Sequence, residues 1–236
     1  MKNYLKFNTS LFLLDFLGEI KTFVQVGSHD GNMHDPIREF ILRNRWSGIL
    51  IEPQKQMLEE SKKNYKGINN LIFVNAAVFK DYKDVELFTV KDAKDYSHTG
   101  WASIKISRFK DTIYENTFIT DTVPGIPLME IIKENNFNKI DLLQIDTEGY
   151  DAEIIAMFDF NKFSPKLIQY EHIHLSADEK NKTNEIIIKH GYKVYEKKND
   201  VFAIRKDQLS NKFKFFYLIL RLYQSIYSRI TNMIKR

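Results

Sequence analysis

The chain contains no cysteine. Disulfides, a thiolate nucleophile and cysteine-ligated zinc are therefore excluded, and the composition suits a reducing compartment. No stretch is long enough and poor enough in charge to span a bilayer. Near the amino terminus, Leu11-Phe12-Leu13-Leu14 is followed at once by Asp15, and no small-residue cleavage site comes after it. Residues 1–20 thus read as an amphipathic lead-in helix and not as a secretory signal. Acids are missing from the tail as well: from Lys212 onward there are six Lys/Arg and no Asp or Glu. The net charge of +4 is concentrated there, which leaves the body slightly acidic. That sign argues against general nucleic-acid binding. A cytoplasmic location, including the inner face of the membrane, is the expectation.

What is present suffices for one α/β domain, with 43% of 236 residues apolar. It is assigned to residues 21–206, with an appendage at 211–236. The domain is organised around Phe23-Val24-Gln25-Val26-Gly27-Ser28-His29-Asp30-Gly31. The apolar first half reads as a strand buried on both faces of a parallel sheet. Glycines directly after such a strand let the backbone turn sharply and approach a ligand. About twenty residues further on, a second strand, Gly48-Ile49-Leu50-Ile51, ends in Glu52-Pro53. An acid at that place can accept from both hydroxyls of a ribose. Together the two signals indicate a nucleoside-containing cofactor.

Between these strands, Asp35 reads as a helix N-cap and Pro36 as the first helical position. Ile37, Phe40 and Ile41 give an apolar stripe up to Trp46. This helix starts later than in a tight dinucleotide turn. A sulfonium amino acid needs room and no pyrophosphate cradle, so the loop favours S-adenosylmethionine over NAD. Residues 55–65 read as a helix and 71–74 as a third strand. The small residues of Asn75-Ala76-Ala77 leave space for an adenine ring, or simply permit close packing. Residues 84–90 alternate like an edge strand. Residues 91–100, ending in His98-Thr99-Gly100-Trp101, have the polarity of a lid or substrate loop, or of a plain surface excursion.

Residues 119–127 are expected to be extended, with a helix from Pro127 to near Asn136. A strand over 140–146 runs into Thr147-Glu148-Gly149-Tyr150-Asp151, and another over 167–174 ends in Glu171-His172-Ile173-His174. A helix at 177–189 and a hairpin of 192–195 with 201–204 complete the domain. Strand–helix alternation closed by a hairpin predicts a mostly parallel sheet with helices on both faces. Asp30, Glu52, Asp146, Glu148, Glu171 and His172 all fall at strand carboxyl ends, where open α/β sheets bind ligands. Helix capping explains one acid after residue 145; two acids and a glycine exceed it.

These residues resemble the FkbM-type family of S-adenosylmethionine-dependent methyltransferases. The likeness rests on Val26 to Gly31, the Asp35-Pro36 helix start, Trp46 to Pro53, Asn75-Ala76-Ala77, Ile145 to Tyr150 and Glu171-His172, and it covers roughly residues 20 to 205. It implies a class I methyltransferase (Rossmann-like) fold and methylation of a hydroxyl on a sugar, glycan or secondary metabolite. Gly27, Ser28, His29, Asp30, Gly31, Glu52, Pro53, Asn75, Ala76 and Asp146 are then expected to hold S-adenosylmethionine. Gln25 departs from the family, in which most members carry Asp. Gln can accept a hydrogen bond but supplies no charge opposite the sulfonium, which must come from Asp30, Asp146 or solvent.

Methyl transfer is an in-line displacement, so positioning supplies much of the acceleration. A base near a sugar hydroxyl adds about 10²–10⁴-fold. His172 is the expected base, since a neutral imidazole takes a proton near neutral pH. Asp146 and Glu148 are the alternatives, as bases, as orienters of the acceptor or as oxygen ligands of a divalent metal. Spacing leaves the metal open. Two rivals stand beside this reading. An NAD-dependent oxidoreductase shares the glycine turn and ribose acid, but the late helix start and absent third glycine oppose it. A non-catalytic scaffold of the same fold, held at a membrane, draws support from Gln25 and the basic tail.

In that tail, Phe213, Phe216, Leu220, Tyr223, Tyr227, Ile230 and Ile234 recur at steps of three and four. The pattern predicts a basic amphipathic helix. It suits peripheral contact with anionic lipid, a homodimer seam, or a helix folded back on its own domain. The wide aromatic face and the lack of acids favour lipid.

Overall fold

The structure, a computed structural model, describes residues 9–216, 218 and 219. Along the chain lie α1 (Thr9–Phe16), β1 (Thr22–Val26), α2 (Arg38–Asn44), β2 (Ser47–Ile51), α3 (Lys55–Asn64) and β3 (Leu71–Val74). Then come β4 (Ala77–Val78), β5 (Lys83–Val90), β6 (Phe118–Ile126), α4 (Leu128–Glu134) and β7 (Leu142–Ile145). The domain closes with α5 (Asp151–Met157), β8 (Leu167–Glu171), α6 (Ala177–Lys189), β9 (Tyr192–Lys197) and β10 (Asp200–Arg205).

Seven strands form one sheet in the order β3-β2-β1-β7-β8-β10-β9. The first five run parallel, and the hairpin β9–β10 joins β8 antiparallel. Side chains alternate between two buried faces, which is why these strands are apolar throughout. In one row, Val24, Ile49, Leu143 and Ile168 pack with Ile131 of α4, Ile154 of α5 and Ile187 of α6. On the other face, Phe23, Leu142 and Leu167 pack with Leu11 and Leu14 of α1 and with Phe40 and Ile41 of α2. One step towards the carboxyl end, that same face carries Gln25, Gln144 and Gln169 in register, all buried.

Asp141 ties the starts of β1 and β7 together. Its carboxylate accepts from the backbone N–H of Lys21 and Thr22 at 3.0 and 3.1 Å and from the Thr22 hydroxyl at 3.0 Å. It also pairs with Lys139 at 2.9 Å. With β1 flanked by β2 on one side and β7 on the other, the sheet changes winding direction at β1. A crevice opens there at the strand carboxyl ends.

Several expectations shift. Residues 84–90 are an edge strand, but of a second, three-stranded sheet ordered β4-β6-β5, in which the extended 118–126 is central. Residues 91–117 are the long excursion of that β5–β6 hairpin. The helix after Asp35 begins at Arg38 with Ile37 as its N-cap. Asp35 does accept the Ile37 N–H at 2.9 Å, but its carboxylate is shared with the Tyr65 hydroxyl and the Gln25 amide. The strand ending in Glu171 is shorter than expected, because the chain leaves the sheet there. Of the lead-in helix, residues 9–16 are seen; of the tail, residues 211–216 are helical and Phe213 is buried in the α1 core. The remainder of both expected helices lies outside the described residues.

Candidate active site

A cleft of about 420 Å³ occupies the crevice. Its floor is the loop after β1. Gly27 lies there at φ +79°, and a Cβ on it would stand 1.7 Å from the Asp146 carbonyl oxygen. Only glycine lets the β1 and β7 loops approach so closely. The Gly27 N–H donates to Ile51 O at 2.9 Å, which joins this loop to β2 as well. Glu52, next in the chain, is buried, yet each of its oxygens takes a backbone N–H: Oε2 from His29 at 2.8 Å and Oε1 from Gln54 at 2.9 Å. Burial nonetheless pushes its pKa up to about 7. Asn75 donates to the Glu52 and Pro53 carbonyls, both at 2.9 Å, and so shapes this wall from behind.

The roof comes from the β5–β6 excursion. A short 3₁₀ turn, Tyr96–Gly100, is fastened to the floor. The Tyr96 hydroxyl donates to Asp30 at 2.9 Å, Thr99 meets the His29 ring at 2.9 Å, and Gln54 donates to Thr99 O at 3.0 Å. Trp101 follows, its ring tilted at 41° to that of His98 with centroids 4.6 Å apart, and the Arg108 guanidinium lies 4.4 Å over its ring. Arg108 also pairs with Glu148, and the Ser103 hydroxyl donates to Glu148 O at 3.0 Å. The roof is therefore fastened on the far side of the cleft too.

That far side is rich in acid. Asp146 opens to the cleft, with Glu148 and Glu171 lining it nearby. His174 Nε2 lies 3.1 Å from Glu148 and 3.5 Å from Glu171. Burial first, and the charges of Glu148 and Asp151 next, raise Glu171 to about 8, while Arg108 opposes the shift. Asp146 is also raised, by enclosure in the cleft and then by Glu171 and Glu148. Its side chain remains solvent-exposed, so the charge repulsion is the firmer cause. Glu148, Glu171 and His174 each bring a ligand atom within 4.8 Å of the others. Asp151 is not part of this rim. It is fully buried and accepts from the Thr147 hydroxyl at 2.8 Å and the Glu171 N–H at 3.2 Å.

Of the expected residues, Gly27, Ser28, His29, Glu52, Pro53, Ala76, Asp146 and Glu148 line the cleft. Asp30, Gly31 and Asn75 do not. Asp30 takes the N–H groups of Asn32 and Met33 and the Tyr96 hydroxyl, which leaves it holding the loop. Gly31 faces the Tyr65 ring, where a Cβ would meet a carbon at 2.5 Å. His172 requires a correction. It is buried away from the cleft, with Nε2 on Lys198 O at 3.1 Å and its backbone N–H on Asn199 O at 2.8 Å. The histidine that meets the acids is His174. Gln144, Trp101 and Arg108 also belong to the site. Trp101 had a signal in its motif at the end of a polar loop, whereas Arg108 had none.

No curated protein sequence matches the chain. Among solved structures it is similar to the methyltransferase FkbM of Methylobacillus flagellatus KT, with TM-score 0.50 and 14% identity, over 79% of this chain and 44% of that one. It also overlaps the precorrin-6y C5,15-methyltransferase of Geobacter metallireducens GS-15, at TM-score 0.40, 14% identity and 78% of each chain. A fibrillarin pre-rRNA processing protein of Methanococcus jannaschii gives 0.42 and 12%, over 79% of this chain and 67% of that one. At 14% identity, the likeness to the first of these speaks to fold alone. The sequence itself matches the family described as Methyltransferase FkbM domain over residues 25–199, a span that runs from Gln25 on the cleft floor past Glu171 on its acidic rim. The chain belongs to the FkbM methyltransferase family.

Proposed function

We propose that the chain transfers the methyl group of S-adenosylmethionine to a hydroxyl of a sugar, glycan or related small metabolite. One observation carries the cofactor assignment: Gln25 Oε1, Ser28 Oγ and Gln144 Oε1 are buried along the cleft with no hydrogen bond inside the protein. An unpaired buried polar atom costs about 1–3 kcal/mol, so a ligand that satisfies three of them binds with that much to gain. The cleft volume is in the range of small-molecule sites. Glu52 suits the ribose hydroxyls, since each of its oxygens retains a lone pair beyond the N–H it accepts. Ala76 and Ala77 leave room for a purine, and the Gln25 and Gln144 carbonyls suit an ammonium group. With Asp30 engaged elsewhere, Asp146 is the acid placed to face a positive centre. The charge this chain lacks at Gln25, where most of the family carries Asp, is thus offset one strand away.

When bound, the cofactor supplies an electrophilic methyl group on a positively charged sulfur. The chain's own part is to orient the acceptor oxygen, exclude water beneath Trp101 and remove the hydroxyl proton. Asp146 would take that proton as the methyl group passes from sulfur to oxygen and the sulfur leaves as a neutral thioether. Glu148 and Glu171 raise its affinity for the proton, and Arg108 and His174 hold Glu148 in place. The nicotinamide reading is not retained, because the family is one of methyltransferases.

Calorimetric titration with S-adenosylmethionine and with NADH tests the cofactor. Heat with the first and none with the second is expected; the reverse overturns the reading. Incubation with methyl-labelled cofactor and oligosaccharides tests the acceptor, with an alkali-stable methyl ether as the expected product. Label appearing only on amine-bearing acceptors would overturn O-methylation, an outcome to which the acid-rich rim gives some physical weight.

A further inference from the structure

We infer that the exposed aromatic side chains of α1 and of the helical residues 211–216, with Lys212 and Lys214, form a docking surface for an anionic lipid bilayer. Residues 1–14 contain Lys2 and Lys6 and no acid, and residues 208–236 contain six Lys/Arg and no acid. These eight cations come out of 35 in the chain, leaving 27 in the intervening body against all 31 Asp/Glu. Along the sequence the charge is therefore divided: residues 15–207 are net acidic, and the two flanking stretches carry no acid.

The fold brings the inner parts of those ends together. Leu11, Leu13 and Leu14 of α1 share one core with Leu209 and Phe213. The Ser210 hydroxyl donates to the Glu19 carboxylate just past α1. Outside that core stand large apolar side chains that remain exposed. Phe12 is 48% exposed, Phe16 67%, Phe215 60% and Phe216 40%, with Leu218 and Ile219 beside them. Phe12 and Phe16 stack with ring centroids 6.2 Å apart, and Lys212 and Lys214 are exposed on the same turns as Phe215 and Phe216.

Charge selects the occupant. A symmetric contact with a second copy would set these cations against the same cations. An anionic bilayer offers the opposite sign together with an apolar layer, and aromatic rings are favoured at its headgroup level. An apolar contact and a basic patch acting together are what stable but reversible anchoring requires. Among the described residues no helix is long and apolar enough to cross a membrane, so the surface lies on the bilayer.

The test is co-sedimentation of the full chain with phosphatidylcholine vesicles, with and without phosphatidylglycerol, while light scattering records its mass. Binding only to the anionic vesicles, weakened by salt, is expected. Lys212→Gln with Lys214→Gln should lower the partition coefficient roughly thirtyfold, from about 1 kcal/mol per basic residue. Phe215→Ser with Phe216→Ser should lower it at least as much, with an unchanged melting curve because both side chains are exposed. Equal sedimentation with both vesicle types overturns the inference. So does a dimer that the phenylalanine variant converts to a monomer in the absence of vesicle binding.

Discussion

The backbone N–H of His29 donates to Glu52 Oε2 at 2.8 Å, across 23 residues of sequence. This bond sets the distance between the glycine turn after β1 and the acid at the end of β2. On the proposed assignment the acid is held in place before the ribose arrives, and its raised proton affinity should make ribose binding sensitive to pH. Glu52→Ala should weaken S-adenosylmethionine binding by about 1.5–3 kcal/mol for each charge-assisted hydrogen bond lost. In the unsubstituted protein, affinity should fall as pH drops through about 7 and the carboxylate takes a proton. Calorimetry across that interval checks both; a flat profile would remove Glu52 from the ribose site.

Asp146 and Glu171 share the acidic rim, and their coupling has a sign that can be measured. Asp146→Asn should lower turnover by about 10²–10⁴-fold, the range of general-base contributions, and weaken cofactor binding as well, because the charge facing the sulfonium goes with the base. Glu171→Gln removes a negative neighbour, so Asp146 should lose its proton more readily. The acid limb of the rate–pH profile then moves to lower pH. A shift in the other direction would mean that Glu171 is itself the base.

The two neighbouring histidines should separate cleanly. His172→Ala removes a buried ring bonded to Lys198 O, so it should lower stability by about 1–3 kcal/mol in a denaturant melt, with turnover of the remaining folded protein unchanged. His174→Ala should leave stability nearly intact and displace the rate–pH profile, since its ring touches Glu148 and Glu171. Loss of turnover in a folded His172→Ala protein would return the base to His172.

Asp141 offers a test of the fold. Burial disfavours its charge, but Lys139, the Lys21 N–H and the Thr22 hydroxyl outweigh burial and hold its carboxyl below the usual range. A depressed folded value means stability that is present above the unfolded pKa of about 3.9 and lost as pH falls through the folded one. Asp141→Ala should therefore cost about 2–4 kcal/mol at neutral pH. The gap to the unsubstituted protein should close in acid. A pH-independent gap would assign the cost to packing.

Sequence alone determined the order of strands and helices, the turn at Gly27 and the acids at the strand ends. Those signals are local: periods of two and 3.6, and a glycine where no side chain fits. Val24 and Val26, like Leu143 and Ile145, announce a two-sided sheet without any knowledge of their partners. Tertiary structure decided what each polar group faces. His172 and His174 would share one face if the strand ran on to residue 174, but it ends at Glu171. Beyond that point alternation no longer holds, and the His172 N–H turns to Asn199 O on the neighbouring hairpin. Asp30 looks like a ligand group until Asn32, Met33 and Tyr96 are seen to use it up. Arg108 reaches Glu148 across 40 residues. Contacts of that range depend on how the second sheet folds over the first, and no local pattern encodes them.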